Sequence, residues 1–219
     1  MNFLQMQEAV SYTLDDLSFG YFTTTQVKRW LNNAQFEAQK IIVQSDEGSF
    51  VKCVQTTCIV GQDEYVLPED MLKINRVQII QSPDTANELS SQIFPVVLSQ
   101  IAKFTRTNAY PSVYYLRRNR LVLVSPPDNT YTLRIDYTYR LAELVNDSDT
   151  SEIETQYHEY LTILAAIDGF LKDDRAATQL IAKKQWYEKL FEEDAEDRKV
   201  DTPRHVIMMD DDIGGGGLY

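Results

Sequence analysis

The sequence predicts an α+β protein in which a helical bundle, made of two N-terminal and two C-terminal helices, carries an inserted antiparallel β-sheet. Near both ends of the chain, apolar residues recur every three to four positions, which is the period of an α-helix. In much of the middle they recur every second position, which is the period of a β-strand. Hydrophobic residues make up 43% of the 219 residues, which is enough to fill a core at this length.

Two helices are expected before the sheet. The first is predicted at residues 2–18, where apolar residues form one stripe at helical spacing: Phe3, Met6, Val10, Leu14 and Leu17. The second is predicted at residues 24–47. Thr23 and Gln26 have the spacing of a capping box, in which each side chain accepts a hydrogen bond from the other residue's backbone N–H. Gly48 can adopt the left-handed conformation that ends many helices.

Residues 50–141 are expected to form the sheet. Strands are predicted at residues 50–60, 73–81, 113–117, 121–125 and 131–141. The last of these is the clearest, because apolar and polar residues alternate along its whole length. A hairpin turn is expected around Arg118 and Asn119, since asparagine tolerates positive φ. Residues 82–91 are predicted to be a loop, and residues 95–104 a short helix with proline in its first turn.

Two further helices are expected after the sheet. One, at residues 151–172, begins with Ser151 and Glu154 at capping-box spacing. Its apolar residues surround the helix axis, so this helix is predicted to be central. The other is predicted at residues 174–197, where the acidic pair at 173–174 suits a helix start. Its apolar residues lie on one face, so it is predicted to be an outer helix.

The composition changes near the C-terminus. Residues 190–219 hold nine acidic and three basic residues, a net charge of −6 out of −12 for the whole chain. Four consecutive glycines at 214–217 are costly to order without a partner. Residues 1–199 are therefore predicted to form the folded domain, and residues 200–219 a flexible acidic tail that orders on a partner. The predicted partner-binding residues of this tail are Val206, Ile207, Met208, Met209, Ile213, Leu218 and Tyr219.

The net charge of −12 argues against a protein that holds nucleic acid through its phosphates. The basic residues are scattered, except for Arg117, Arg118 and Arg120 at the expected hairpin tip. An acidic wall would still let DNA slide past, because it repels phosphate. No apolar run approaches the roughly 20 residues of a membrane span, and residues 1–8 lack the pattern of a signal peptide. We therefore expect a protein assembled in a cytosol, without membrane contact.

No catalytic, cofactor-binding or metal-binding residues are predicted. Cys53 and Cys58 lie five residues apart in an expected strand, so they point to opposite faces and are interpreted as reduced thiols. His158 is interpreted as a hydrogen-bonded core residue, whereas His205 lies in the tail, and together these residues match no compact zinc pattern. Residues 210–212, three aspartates, are interpreted as solvated carboxylates rather than a cation site. The sequence has no phosphate-binding loop and no nucleophile elbow.

The thirteen tyrosines are interpreted mainly as core residues, because most of them lie on apolar faces. Four lie near the ends of expected strands, where aromatic residues often serve interfaces: Tyr110, Tyr114, Tyr115 and Tyr139. For these four an interface role is the alternative, and a core role is favoured.

A series of short motifs gives the sequence a resemblance to one family. In chain order they are Trp-Leu-Asn-Asn-Ala at 30–34, Glu-Tyr-Val-Leu-Pro-Glu-Asp-Met-Leu-Lys-Ile-Asn-Arg-Val at 64–77, Pro-Ser-Val-Tyr-Tyr-Leu at 111–116, Leu-Val-Leu-Val-Ser-Pro-Pro-Asp at 121–128 and Leu-Arg-Ile-Asp-Tyr at 133–137. With the helices around them, they resemble the head-to-tail adaptor proteins of tailed bacteriophages, also called connector or head-completion proteins. The likeness covers residues 20–190, and its motifs mostly specify the fold.

The resemblance implies a structural virion protein and no enzyme. Such proteins form a ring, usually a dodecamer, that docks beneath the portal protein, extends its DNA channel and receives tail or nozzle proteins. DNA passes through the ring without specific binding. The expected location is the head–tail interface of the virion, after assembly in the host cytoplasm. Members of the family commonly use C-terminal segments to bind the portal, a role that suits the predicted tail.

Three other functions are alternatives. A tail-completion or stopper ring belongs to the same assembly but lies farther from the head. A metal-dependent hydrolase would use the carboxylates of the chain and would carry bound metal. A cellular adaptor would bind its partner through the acidic tail.

Overall fold

Four α-helices and seven β-strands make up the part of the chain that the structure, a computed structural model, describes: residues 1–81, 90–104 and 107–199. The helices are α1 (Phe3–Leu14), α2 (Thr24–Ser45), α3 (His158–Lys172) and α4 (Thr178–Lys199). The strands are β1 (Val51–Cys58), β2 (Glu64–Val66), β3 (Met71–Ile80), β4 (Ser90–Pro95), β5 (Val113–Leu116), β6 (Arg120–Leu123) and β7 (Tyr131–Tyr139). Short 3₁₀ turns lie at Leu98–Lys103 and Thr155–Tyr157. The predicted α+β class is confirmed.

The strands form one curled sheet in the order β1-β7-β3-β4-β5-β6-β2. Neighbouring strands are antiparallel except β4 and β5, which run parallel with Phe94 opposite Val113. The prediction of a purely antiparallel sheet is therefore wrong at this pair. A parallel pair needs a crossover of about a dozen residues or more, and residues 96–112 supply a connection of that length.

Strand β7 is central to the sheet, because it pairs with β1 on one side and β3 on the other. The alternation that predicted it is confirmed: Leu133, Ile135 and Tyr137 are buried on one face. On the other face, Asp136 receives hydrogen bonds from Arg76, at 2.9 and 2.6 Å. Burial raises the pKa of Asp136, but the hydrogen bonds from Arg76 and its other neighbours outweigh that effect and lower the pKa below its ordinary value.

Helix α3 lies at the centre of the helical part and packs against α1, α2 and α4, as predicted. Its Gly169 lets α1 come close, because a Cβ atom there would lie 2.6 Å from Cδ2 of Leu14. Helix α4 is an outer helix, also as predicted, and buries Tyr187 and Phe191 while most of its surface is exposed. Side chains from the helices and from the sheet meet in one main core.

Three amide side chains at helical spacing on α2 bind the backbone at the end of β7 and just after it. The Asn32 side chain donates to the Leu144 carbonyl at 3.0 Å and accepts from the Leu144 N–H at 2.8 Å. Gln35 donates to the Ala142 carbonyl at 2.8 Å. Gln39 donates to the Tyr139 carbonyl at 2.6 Å. The helix thus replaces the strand neighbour that this segment lacks, and Asn32 gives the Trp-Leu-Asn-Asn-Ala motif a structural role.

The N-terminal helices end earlier than predicted. Helix α1 stops at Leu14 and not at residue 18, because Asp15 adopts a left-handed conformation with φ of 58°. The next residue, Asp16, then accepts hydrogen bonds from the backbone N–H groups of Gly20, Tyr21 and Phe22, which fold the connection to α2.

Helix α2 begins at the predicted capping box, where Thr23 and Gln26 exchange hydrogen bonds. Its predicted end at residue 47 is wrong. The helix stops at Ser45, and Asp46 follows it in an extended conformation, so Gly48 is not used as a left-handed cap.

The C-terminal helices begin later than predicted. The capping box at residue 151 is wrong: the Ser151 hydroxyl accepts from the Ile153 N–H, and a 3₁₀ turn precedes the start of α3 at His158. The predicted helix start at residue 174 is also wrong, because Asp174 has a φ of 51° and α4 begins at Thr178.

Three predictions in the sheet region need correction. Of the expected loop at residues 82–91, residues 82–89 lie outside the described residues, and Ser90 already begins β4. The expected helix at residues 95–104 is only the 3₁₀ turn Leu98–Lys103, and its proline lies at the end of β4. In the β5–β6 hairpin, Arg118 and not Asn119 takes the positive φ, at 54°.

Candidate interaction surfaces

The histidine and cysteine residues that the structure describes occupy structural positions. His158 is buried, and its Nε2 lies 2.9 Å from the Ile153 carbonyl, which confirms the interpretation as a core residue. Burial holds the pKa of His158 below its ordinary value, so the ring stays neutral. Cys53 is exposed and Cys58 is buried, and both are free thiols, in agreement with the prediction of opposite faces. Burial raises the pKa of both thiols.

Residues 1–81, 90–104 and 107–199 contain no group of three or more His, Cys, Asp and Glu side chains that could hold a metal ion. Within the same residues, no helix is both long enough and apolar enough to span a membrane.

The four tyrosines for which an interface role was the alternative lie mostly in the interior. Tyr114, Tyr115 and Tyr139 are buried. Tyr110 is half-buried and packs edge-on against Tyr131, with ring centroids 5.2 Å apart. The core interpretation therefore holds for the three buried tyrosines.

The hairpin between β5 and β6 presents three arginines at its tip, as the sequence predicted. We call Arg117, Arg118 and Arg120 the arginine turn. Backbone hydrogen bonds of 2.9 and 3.1 Å between Arg117 and Arg120 close the turn. All three side chains are exposed, and one carboxylate, Glu64, forms ion pairs with both Arg117 and Arg120. The turn has three guanidinium groups, whereas the ion pairs of the described residues give it one carboxylate, so the turn carries surplus positive charge on an acidic protein.

Exposed apolar side chains flank the arginine turn. Leu116 precedes it, and Val66 lies opposite Arg120 in the neighbouring strand β2. Val66 is 71% exposed and Leu116 is 47% exposed. The tip of the hairpin therefore combines cationic and apolar surface, a composition that suits an acidic segment with apolar neighbours.

A second candidate surface is a cavity of about 190 Å³ between the end of α2, the segment before α3 and the end of α4. Apolar side chains line part of it, including Ile42, Phe50 and Phe191. Four carboxylates line it: Asp46, Glu152, Glu154 and Asp194. We call this the acidic cavity. None of the described residues that line it is a lysine or an arginine.

Buried tyrosines hold two of these carboxylates in place. The Tyr139 hydroxyl donates to Glu152, and the Tyr157 hydroxyl donates to Asp194. Burial and the hydrogen bond to Glu152 raise the pKa of Tyr139 to about 12, so the hydroxyl remains a donor. A cavity lined by both fixed carboxylates and apolar side chains suits a basic side chain with an aliphatic stem, such as arginine or lysine from a partner.

A third candidate surface lies around the end of β4. We call it the β4 patch, and its exposed apolar side chains are Phe94, Val97, Leu98 and Phe104. Residues 90–104 contain a single charged residue, Lys103, although charged residues make up 25% of the chain. Depletion of charge around exposed apolar side chains is typical of the centre of a protein–protein interface.

The predicted partner-binding residues of the tail, from Val206 to Tyr219, lie outside the described residues, so their role stays a prediction. The sequence indicated the arginine turn, because its arginines are adjacent. It did not indicate the acidic cavity, whose carboxylates come from separate parts of the chain. The β4 patch was missed because Val97, Leu98 and Phe104 were assigned to a helix and Phe94 to no element. The low charge of residues 90–104 was the signal that could have found it.

Comparison with protein families finds a match over most of the chain. The family model described as SU10 adaptor protein matches residues 1–208 of the chain. The match covers the whole described part and extends into the predicted tail as far as Met208. A search of curated proteins finds no match.

Proposed function

The chain belongs to the SU10 adaptor protein family, and on this premise we propose that it is a head-to-tail adaptor subunit that forms a ring beneath the portal of a phage. The observation that carries the proposal is the family match over residues 1–208. The family is one of structural adaptors, which is not an enzyme class. In the proposed virion, the ring extends the DNA channel of the portal and receives tail or nozzle proteins on its other face.

The surfaces of the described residues support a protein that contacts several neighbours. A ring contact is heterologous, so each subunit needs two different and complementary surfaces. The acidic cavity, the arginine turn and the β4 patch differ in charge and polarity, and they come from different elements of the fold. They give one subunit enough distinct surfaces for two ring neighbours and a tail protein. The copy number we propose is that of a dodecamer.

The net charge of −12 supports a channel through which DNA moves. A channel wall that repels phosphate lets DNA pass without specific binding. The same charge keeps free subunits soluble until they assemble. The proposed location is therefore the head–tail interface of the virion, reached after assembly in the host cytoplasm.

The C-terminal tail is proposed to bind the portal. Its apolar residues flank an acidic stretch and a run of glycines, and apolar side chains in such a segment can supply the contacts to a partner. The predicted contacts are Val206, Ile207, Met208, Met209, Ile213, Leu218 and Tyr219.

The experiment is a binding assay with purified portal protein of the same phage. The full chain is expected to co-purify with the portal, and a variant that lacks residues 200–219 is expected to bind at least about tenfold more weakly. A second variant keeps the full length of the tail and replaces each of the apolar residues 206–209 with serine. It tests whether these side chains, and not the length of the tail, are needed for binding. Its control replaces glycines 214–217 with serine, and this control should bind like the unchanged chain.

Undiminished binding of the truncated variant would overturn the proposal for the tail while leaving the adaptor intact. If the full chain fails to bind the portal but binds a portal already carrying another adaptor, the chain is instead a stopper or tail-completion ring protein.

A further inference from the structure

We propose that the arginine turn is the binding site for Asp210, Asp211 and Asp212 of the chain's own C-terminal segment in the free subunit. The inference goes beyond the proposed function and does not depend on a ring. It gives the arginine turn a partner of known sequence and places the segment on the folded domain before assembly.

The arginine turn and residues 210–212 carry opposite charges. The arginine turn carries three guanidinium groups against one described carboxylate, Glu64. Residues 210–212 are three consecutive aspartates. Guanidinium–carboxylate pairs are charge-assisted, and the planar guanidinium can bind a carboxylate through two parallel hydrogen bonds.

The residues on either side of the charges are apolar in both segments. Leu116 and Val66 are exposed beside the arginines. In the C-terminal segment, Met209 precedes the aspartates and Ile213 follows them. An acidic run with apolar neighbours thus faces a basic turn with apolar neighbours, and the apolar contacts would add burial to the ion pairs.

A series of contacts leads from the arginine turn toward α4, the helix that precedes the C-terminal segment. Asn119 lies between the arginines of the turn, and its carbonyl accepts a hydrogen bond from the Leu67 N–H at 3.1 Å. Asp70, three residues after Leu67, lies 3.5 Å from Lys52. Lys52 follows Phe50 by two residues in the chain, and Phe50 lines the acidic cavity. The same cavity contains Asp194 of α4. This series of contacts connects the arginine turn to the cavity beside the C-terminal half of α4.

The chain between α4 and the aspartates is long enough to cross much of the folded domain. Helix α4 ends at Lys199, and Asp210 is eleven residues further along the chain. An extended segment of that length spans about 36–40 Å. A folded domain of this size has a radius of gyration of about 16 Å, so the segment can cross a large part of one face. Covalent attachment also raises the local concentration of the aspartates to about the millimolar range, which favours the chain's own segment over that of a second copy.

The test is disulfide formation in the full-length chain with all the arginines and aspartates retained. Leu116→Cys and Ile213→Cys place one thiol beside each charged group, and Cys53→Ser removes the exposed native thiol, while Cys58 is buried. The control pairs Ile213→Cys with Ile181→Cys, an exposed position on α4. An intramolecular disulfide is expected to form at least about tenfold faster with Leu116→Cys than with Ile181→Cys.

Charge variants show whether the aspartates cause this proximity. Changing residues 210–212 to asparagine, or the three arginines to glutamine, should reduce the rate to that of the control. Exchanging the charges, with aspartate in the turn and arginine at 210–212, should restore it. A rate that does not respond to these changes, or that equals the control from the start, overturns the proposal.

Disulfide-linked dimers that increase with protein concentration would also overturn it, because the occupant would then be the segment of a second copy. The outcome is independent of portal binding. A chain that binds the portal but shows no proximity between the turn and residues 210–212 keeps its proposed function and loses only this inference.

Discussion

The two ends of the sheet differ in how they are packed. Strands β3 and β7 contribute to the main core that they share with the helices. Strands β5 and β6 turn one face, including Tyr114 and Leu121, toward that core. Their other face is a small separate cluster of Tyr115, Val122 and Val124, against which partly buried side chains of neighbouring segments pack. The arginine turn and the β4 patch both lie in this outer region.

The difference indicates a division of roles. Interior residues of the helix-covered region hold the fold, since they make most of the buried contacts. The outer region has a small cluster of its own and presents exposed charged and apolar side chains. Substitutions in the first region should therefore change stability, whereas substitutions at the surface of the second should change binding and leave stability nearly unchanged.

The largest expected effect tests the core of the helix-covered region. Leu133 is fully buried in β7, and Leu133→Ala should lower the free energy of unfolding by about 2–5 kcal/mol, because it leaves a cavity. Leu116→Ala makes the same change at an exposed position of the outer region and should cost less than about 0.5 kcal/mol. Urea unfolding of both variants measures the difference. Similar costs at the two positions would contradict the division of roles.

The next effect concerns the amide contacts of α2. Asn32→Ala removes both hydrogen bonds to Leu144 and leaves partly buried backbone groups without their partner, at a cost of about 1–3 kcal/mol. Its neighbour Asn33 is exposed, and Asn33→Ala should change the free energy of unfolding by less than about 0.5 kcal/mol. Chemical unfolding of the two variants is the measurement. If both variants are equally stable, Asn32 does not hold the segment after β7.

A pH effect is expected from His158. Its ordinary pKa is 6.5, and burial lowers the pKa in the folded chain. Below pH 6.5, His158 binds a proton in the unfolded chain more readily than in the folded chain. The free energy of unfolding therefore falls as the pH decreases below 6.5. His158→Gln should remove this dependence, although the variant is less stable at pH 7.5. Unfolding measured between pH 7.5 and 5.5 tests this, and an unchanged slope in the variant would contradict it.

The smallest effect on stability is expected in the arginine turn. Changing Arg117, Arg118 and Arg120 to glutamine breaks ion pairs with Glu64 that are largely exposed. Exposed ion pairs contribute only about 0–1 kcal/mol each, so the melting temperature should change by no more than a few degrees. Differential scanning calorimetry is the check. A large loss of stability would mean that the turn is part of the fold rather than a surface for partners.

The sequence predicted the elements whose signals are local. The capping box of Thr23 and Gln26 placed the start of α2 correctly, and the alternation along residues 131–141 predicted β7. Elsewhere the spacing of residue types gave a wrong prediction, because spacing alone does not show which of several hydrogen bonds a side chain forms. Ser151 and Glu154 have capping-box spacing, yet the Ser151 hydroxyl binds the Ile153 N–H instead.

The chain uses aspartate and arginine at positions of positive φ where the sequence rules favour glycine or asparagine. Asp15 and Asp174 adopt the left-handed conformation. The end of α1 was predicted at residue 18 instead of Leu14, and the start of α4 at residue 174 instead of Thr178. Arg118 takes the positive φ that was expected at Asn119. The sign of φ at such residues depends on the backbone contacts of the folded chain, which the sequence pattern does not contain.

Sites that depend on tertiary contacts could be predicted only in part. The arginine turn was visible in the sequence because its residues are adjacent. The acidic cavity combines carboxylates from residues 46, 152, 154 and 194, which only the fold brings together. The parallel pairing of β4 and β5 was missed for the same reason, since it joins segments on either side of a long connection.

The most direct test of the proposed function is electron cryo-microscopy of the full chain bound to purified portal protein of its phage. The account predicts a closed ring of subunits beneath the portal, coaxial with its channel, with residues 200–219 in contact with the portal. It also predicts that the arginine turn is free of residues 210–212 once these contacts form. Isolated subunits bound elsewhere on the portal, or no complex at all, would contradict the account.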